Sequence, residues 1–215
     1  MSNSKKFVHA VLISLLLLTS IVSAAFFVTT AEAKPKTDAQ AFHDEMRKLW
    51  EDHITWTRLV IVSLANDLPD TQTTVDRLLQ NQVDIGDAIK PFYGEAAGDQ
   101  LTVLLKEHIV IAAEVIQAAK AGDTAALAEA KARWYENADE IAEFLHTANP
   151  ENWPLEEMRD MMRDHLDLTL QEAAAYLGGN FAASVAAYED VHLQALDMAD
   201  MLSEGIIRQF PNKFN

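Results

Sequence analysis

Six polar side chains recur along the chain at intervals of 26 to 29 residues. Four are imidazoles and two are amides: His53, Gln82, His108, Asn137, His165 and His192. Imidazole nitrogens bind borderline metals such as zinc, copper and iron, and amides can orient such ligands. If all six lie at one depth inside the protein, the four histidines are predicted to form a metal site, with Gln82 and Asn137 holding them in place.

Each of these histidines lies on or beside an apolar helix stripe, and an acid is close to most of them. Glu107, Asp164 and Glu189 are therefore predicted to help orient the imidazoles of a metal site. The alternative is a structural layer, because a bare imidazole in an apolar core costs roughly a few kcal/mol unless its nitrogens find partners. A satisfied polar network of this kind sets the register of the helices and binds nothing.

Haem is a weaker alternative cofactor. His165 lies close in sequence to Met161 and Met162, which could supply an axial sulfur. Methionine on an apolar stripe is, however, more often a gap-filling core residue. A ferritin-like di-iron centre requires two matched Glu-x-x-His motifs, and the chain does not offer a matched pair.

The elements that must position these residues are helices. Between about Thr37 and Phe210 the apolar residues recur every three or four positions, which is typical of amphipathic helices. Glycine, proline and capping residues divide this stretch into six pieces. The breaks are predicted at residues 68–70, 91–98, 122–123, 149–154 and 178–180. Six helices of roughly 20 to 28 residues with short connections predict an all-α antiparallel bundle.

Parts of the helical region resemble one another. One eight-residue pattern occurs three times, at residues 78–85, 104–111 and 161–168. It consists of two apolar residues, two polar residues and a Gln or His, followed by apolar residues at the sixth and eighth positions. A second register of 84 residues pairs Trp50 with Trp134. These likenesses predict two related halves of three helices each.

Residues 1–33 have the pattern of an export signal. Lys5 and Lys6 precede an apolar run over residues 11–28, and residues 31–33 form an A-x-A cleavage signature. An uncleaved anchor is the alternative, because the apolar run is just long enough to span a bilayer. We therefore expect residues 34–215 to be a single domain outside the cytoplasm, secreted or at the cell surface. Membrane contact is expected only through the N-terminal segment, if that segment stays attached.

Composition narrows the functional classes. The chain has 33 acids against 17 bases, a net charge of -16, which argues against binding to nucleic acid. It contains no cysteine, so disulfides, thiolate metal ligands and a cysteine nucleophile are excluded. Walker A, G-x-S-x-G and G-x-G-x-x-G motifs are absent from the sequence, and no catalytic residue is predicted. A binding protein is favoured, with a structural or partner-interaction protein as the alternative.

Two further features carry weaker predictions. Trp56, Tyr93 and Trp134 could line a pocket for a small molecule, through apolar or cation–π contact. Gly86 stands inside a predicted helix, where glycine costs roughly 1 kcal/mol relative to alanine. Its presence there predicts a close helix crossing, or a kink before Pro91.

Three segments carry a resemblance to other proteins: WEDHITWTR at residues 50–58, NQVDIGDAIKPFYG at residues 81–94 and GIIRQFP at residues 205–211. With these segments the chain resembles a group of small exported bacterial helical proteins, over nearly all of residues 34–215. The resemblance implies an exported single domain. It transfers no activity and no catalytic residue.

Overall fold

The computed structural model describes residues 38–214, so the export signal predicted for residues 1–33 lies outside the described residues. The helices are α1 (Asp38–Ala65), α2 (Thr71–Tyr93), α3 (Glu95–Ala121), α4 (Thr124–Ala148), α5 (Leu155–Leu177) and α6 (Phe181–Gln209), followed by a 3-10 turn at Pro211–Lys213. The predicted all-α bundle of six helices is confirmed, and residues 38–214 contain no strand.

Two of the helix boundaries form as the glycine and capping signals predict. Gly122 ends α3 with φ of +69°, and the Asp123 carboxylate accepts hydrogen bonds from two backbone N–H groups in the first turn of α4. The boundary before α6 is built in the same way. Gly179 has φ of +74°, and the Asn180 side chain accepts one N–H bond from the first turn of α6.

The boundary between α2 and α3 is shorter than predicted. Helix α2 continues through Pro91 to Tyr93, and α3 begins at Glu95, so the turn consists of Gly94 alone, with φ of +87°. Pro91 is tolerated because it removes one N–H bond only in the last turn of α2. Gly98 therefore lies inside α3 and does not belong to the loop.

The six helices form a closed ring of three helical hairpins. Each helix packs against the next along the chain, and α6 packs against α1. Helices α1, α3 and α5 also contact one another, so the first helix of each hairpin faces the centre. The second helices, α2, α4 and α6, lie between them on the outside. Side chains from all three inner helices can therefore meet on the bundle axis.

The interior is mostly aliphatic, with Trp50, Trp134 and Trp153 each no more than 5% exposed. Hydrophobic burial of this kind is the main stabilising term in such a bundle. Polar side chains are also buried among these residues, and most belong to the central layer described below: His53, Asn81, Gln82, His108, Asn137, His165 and Thr169. Within residues 38–214, every helix is too short or too polar to cross a membrane.

Helices α2 and α3 approach closely where two glycines face each other. A Cβ atom added to Gly86 would lie 2.6 Å from the carbonyl oxygen of Gly98, and one added to Gly98 would lie 2.6 Å from that of Gly86. Real Cβ atoms do not approach backbone oxygens so closely. The predicted close crossing at Gly86 is confirmed, and it accounts for the conformational cost that glycine brings to this helix.

Replacing Gly86 by alanine is therefore expected to destabilise the protein by about 2 kcal/mol or more, because the new methyl group must push α2 away from α3. The midpoint of urea unfolding, followed by circular dichroism, measures the change. Gly178→Ala is the matched control, since Gly178 has an ordinary helical φ of -76° and a Cβ atom there meets carbonyl oxygens at 3.2 Å and beyond. Equal midpoints for the two variants would contradict the crossing.

Candidate functional site

Three histidines meet at the centre of the ring. His53 of α1, His108 of α3 and His165 of α5 are each no more than 4% exposed. The ring centroids of His53 and His165 are 5.7 Å apart, and those of His108 and His165 are 6.5 Å apart. Together with Thr57, Trp134 and aliphatic side chains they line a cavity of about 30 Å³. A cavity of this size has room for one or two particles the size of water.

Each of these imidazoles is held by an amide from the second helix of its own hairpin. In every case the amide follows the histidine by 29 residues. The pairs are His53 Nδ1 with Gln82 at 3.2 Å, His108 Nδ1 with Asn137 at 2.8 Å and His165 Nδ1 with Gln194 at 3.1 Å. The arrangement therefore repeats once per hairpin, three times in all. This differs from the predicted division into two halves of three helices.

The second and third hairpins determine which ring nitrogen carries the proton. Asn137 Nδ2 donates to the carbonyl oxygen of Leu104 at 3.2 Å, so Asn137 Oδ1 is the atom that faces His108. An amide oxygen only accepts, and His108 Nδ1 must therefore donate. Nε2 of His108 is then an unprotonated acceptor on the far side of the ring. Gln194 orients His165 identically, since its Nε2 donates to the carbonyl oxygen of Met161 at 3.0 Å.

The first hairpin is arranged differently. Here Asn81 Nδ2 donates to the carbonyl oxygen of Leu49 at 3.0 Å, and Gln82 presents its Nε2 to His53. Gln82 Nε2 also donates to the carbonyl oxygen of Leu78 at 2.9 Å and to Asn81 Oδ1 at 3.1 Å, so both of its hydrogens have oxygen acceptors and the contact with His53 Nδ1 does not determine which ring nitrogen carries the proton. Gln82 Oε1 is buried and has no hydrogen-bond partner among the described residues. Among the three amides that contact the imidazoles, Gln82 is therefore the one with an unpaired oxygen.

Burial keeps all three imidazoles neutral. For His108, burial and the neighbouring His165 lower the pKa to about 3, although the bond to Asn137 opposes the change. Burial lowers the pKa of His53 well below its ordinary value, and His165 and His108 add to the effect. Burial also lowers the pKa of His165, although the hydrogen bond that His165 donates to Gln194 opposes the change. Neutral imidazoles retain the lone pair that a metal ion or a hydrogen-bond donor requires.

Two residues that border the cavity carry buried polar atoms without partners among the described residues. Trp134 is 3% exposed, and its Nε1 has no hydrogen-bond partner among residues 38–214. The same holds for the buried Oγ1 of Thr57, one helical turn after His53 on α1. Both residues line the cavity, and the indole of Trp134 packs against His108 with ring centroids 5.2 Å apart. The wall of the cavity is nearly all apolar, so the two donor atoms are buried beside the cavity and do not form its surface.

The fourth predicted ligand, His192, does not join this group. Its side chain is 21% exposed on α6, where Nε2 contacts Glu51 Oε2 at 2.6 Å and the ring stacks on Tyr188 at 5.9 Å. The residue of α6 that does join is Gln194. Two residues along a helix turn the side chain by about 200°, so His192 and Gln194 face opposite directions.

Gln194 is the central residue that sequence reasoning missed, and a signal for it existed. His53 precedes Gln82 by 29 residues, and His108 precedes Asn137 by the same interval. Applied to His165, this interval points to Gln194. The prediction instead followed residue type, because a fourth histidine stood close to the expected position.

Other predicted site residues lie outside the centre. Three of them are exposed: Glu107, Asp164 and Glu189. Glu107 and Asp164 directly precede buried histidines, and Glu189 lies near an inward-facing position. A step of one residue turns a helical side chain by about 100°, so all three side chains point away from the centre. They do not orient the imidazoles. Trp56, predicted to share a pocket with Tyr93 and Trp134, lies instead beneath the guanidinium of Arg77 at 5.4 Å.

Tyr93 is likewise separate from the histidines. It packs against Trp153 and Phe210 with ring centroids 6.0 and 5.3 Å away. It borders a surface groove between α3 and α4 rather than the central cavity. The three-aromatic pocket is therefore not formed.

The spacing of the imidazoles bears on the metal prediction. With the side chains as they stand, no group of three or more His, Asp or Glu residues between 38 and 214 is placed so that it could hold a metal ion. Three imidazoles bound to one ion have ring centroids roughly 5 Å apart, given metal–nitrogen bonds near 2.0 to 2.1 Å. The observed separations of 5.7 and 6.5 Å exceed this value by about 0.7 and about 1.5 Å. A haem is far larger than a cavity of about 30 Å³.

Comparison with known proteins adds no assignment. No protein family, curated protein or solved structure matches this chain. Functional inference consequently depends on the geometry of the central cavity.

Proposed function

We propose that this protein is an exported binding protein that takes up one transition-metal ion, such as zinc, copper or iron, through His53, His108 and His165. The observation that carries the proposal is the orientation of His108 and His165. In both, an amide anchored to a backbone carbonyl holds Nδ1–H, which leaves Nε2 unprotonated on the opposite edge of a ring that lines the cavity. Histidines that bind metals are typically held in this way.

Metal binding requires the centroid separations of 5.7 Å for His53 and His165 and 6.5 Å for His108 and His165 to shorten by about 0.7 and about 1.5 Å. All three histidines already line one cavity. Burial by apolar side chains keeps the imidazoles neutral, so the ion does not have to displace protons at neutral pH. Three protein ligands leave one position open on a tetrahedral ion.

His53 is assigned as the third ligand because it lines the same cavity as His108 and His165. Its amide partner is fixed in the present orientation, since Gln82 Nε2 donates to the carbonyl oxygen of Leu78 at 2.9 Å and to Asn81 Oδ1 at 3.1 Å.

The test uses protein purified without an affinity tag. We expect one equivalent of zinc or cobalt to bind per chain, and the melting temperature to rise by about 5 to 10 °C when free metal is a hundred times the dissociation constant, since such an excess contributes about 2.7 kcal/mol. His108→Gln and His165→Gln should each abolish stoichiometric binding, measured by elemental analysis after gel filtration.

His192→Gln is the matched control, because His192 lies on the outer part of α6 against Glu51. This variant should bind metal as the wild type does. Absence of uptake by the wild-type protein would end the proposal, and so would loss of binding in His192→Gln with retention in His108→Gln. Export depends on the pattern of residues 1–33, and the intact mass of secreted protein, expected to begin at Lys34, tests it.

A structural role for the polar layer is the second candidate. It is favoured by the hydrogen bonds that link each imidazole through an amide to a backbone carbonyl of its own hairpin. Such bonds fix the register of two helices without any ligand. In that case the protein acts through its surface on an unidentified partner. His108→Gln and His165→Gln distinguish the two candidates. Loss of metal with unchanged partner binding favours metal binding, whereas loss of the fold without any effect of metal favours a structural role.

A further inference from the structure

An apolar cleft opens to the surface between α3, α4 and α5. Its volume is about 180 Å³, and the side chains that line it are aliphatic except for that of Lys131 on α4. Ala174 at the cleft is exposed, and Leu127, Leu170 and Leu177 are half-buried. The cleft therefore exposes aliphatic surface that a ligand can cover.

The volume of the cleft suits an apolar group of moderate size. A protein cavity of about 150 Å³ with an aliphatic and aromatic wall stays dry and binds benzene. A cleft of about 180 Å³ accommodates an alkyl chain of similar bulk. Its inner wall is formed by Val115, Ile116, Leu170 and Ala173, which also line the central cavity. The apolar end of a ligand would thus lie against aliphatic side chains on the cavity side.

The Lys131 ammonium is the one charged group of the cleft. The chain has 33 acids against 17 bases, and most cations of the described residues are paired with a carboxylate, as Arg133 is with Glu114. The Lys131 ammonium has no ion pair or hydrogen bond among residues 38–214. A single cation beside an aliphatic cleft matches a ligand with an apolar body and one negative charge.

We propose that this cleft binds an apolar molecule that ends in a carboxylate, such as a medium-chain fatty acid. The carboxylate lies on the Lys131 ammonium, and the alkyl chain fills the cleft toward Val115 and Ile116. This inference goes beyond metal binding and does not depend on it, because the cleft contains none of the three central histidines.

Isothermal titration calorimetry with octanoate tests the proposal. We expect one molecule to bind per chain, with an affinity that rises about threefold to fourfold for each methylene added from butanoate to octanoate, because each methylene is buried. Lys131→Met should weaken octanoate binding about fivefold or more, since it removes a half-buried ion pair, and should leave the binding of neutral 1-octanol unchanged. Unchanged octanoate affinity in Lys131→Met would overturn the proposal.

Lys106→Met is the matched control. Lys106 is also half-buried and has no ion pair among residues 38–214, but it does not border the cleft. This variant should bind octanoate as the wild type does. An equal loss of affinity in the two lysine variants would indicate a general effect of charge and would contradict a site at Lys131. Absence of octanoate binding by the wild-type protein would also overturn the proposal.

Ala119→Leu tests the position of the alkyl chain independently of charge. Ala119 borders the cleft but not the central cavity. Leucine there takes up the room of about three carbon atoms, so octanoate and 1-octanol should both bind about tenfold more weakly or less. Unchanged binding in this variant would place octanoate elsewhere. Uptake of zinc or cobalt is measured separately, so failure of the metal proposal leaves this inference standing.

Discussion

The metal-free protein is expected to lose stability steeply as the pH falls from 7 to 5. Folded His53, His108 and His165 stay neutral because burial lowers their pKa, whereas unfolded histidine takes up a proton at a pKa of about 6.5. Below pH 6.5 the unfolded state therefore binds more protons, and the free energy of unfolding decreases as the pH decreases. This stabilisation is complete above pH 6.5 and is lost as the pH falls toward the folded pKa.

The size of the effect is large for a domain of this length. With a folded pKa of about 3, His108 alone accounts for about 2 kcal/mol between pH 7 and pH 5. His53 and His165 act in the same direction. Uptake of three protons on unfolding gives the free energy of unfolding a slope of at most about 4 kcal/mol per pH unit. Total stabilities of such domains are about 5 to 15 kcal/mol, so a loss of up to about 6 kcal/mol from three histidines is a large part of the free energy of unfolding.

Urea unfolding at a series of pH values, with chelator present, measures this slope. His108→Gln is the informative variant, since it removes one of the three groups and should lower the slope by about one proton whatever its effect at pH 7. A free energy of unfolding that stays constant between pH 7 and pH 5 would contradict the neutral histidine cluster.

Replacement of Glu172 by alanine is expected to destabilise the protein by about 3 to 5 kcal/mol. Glu172 is 1% exposed, and its Oε1 accepts from Arg58 Nη1 at 2.8 Å. The same guanidinium nitrogen contacts Ser184 Oγ at 2.5 Å, and the guanidinium lies over the rings of Tyr176 and Tyr188 at 5.2 and 5.8 Å. Alanine would leave this cation without its anion, in a largely buried place.

A double variant distinguishes the effect of removing one partner of the Arg58–Glu172 ion pair from the effect of replacing both partners. Burial raises the pKa of Glu172 although Arg58 opposes the change, so the desolvation of the carboxylate outweighs its attraction to the guanidinium. The double variant Arg58→Met with Glu172→Leu should therefore recover most of the lost stability. Arg208→Ala, which removes an exposed pair with Glu204, should change the free energy of unfolding by less than about 0.5 kcal/mol. Similar losses in Glu172→Ala and Arg208→Ala would contradict this account.

Helix number and most boundaries could be predicted because they depend on local interactions. Apolar periodicity, glycine with positive φ at 122 and 179, and the caps at Asp123 and Asn180 are all encoded within a few residues. The close crossing at Gly86 was also accessible, since a glycine retained inside a helix despite its conformational cost favours close contact with a neighbouring backbone. The break at residues 91–98 was placed wrongly, because Gly98 fits a loop as well as a helix crossing until its neighbour is known.

The central site was only partly predictable. Sequence alone determined that His53, His108 and His165 lie on apolar faces of helices, together with Gln82 and Asn137, because helical periodicity assigns a face to every residue. Only the tertiary structure decided that α1, α3 and α5 form the inner ring, so that three histidines share a cavity while His192 points outward and Gln194 takes its place. Periodicity gives directions around one helix axis, whereas the meeting of side chains depends on how several axes are packed.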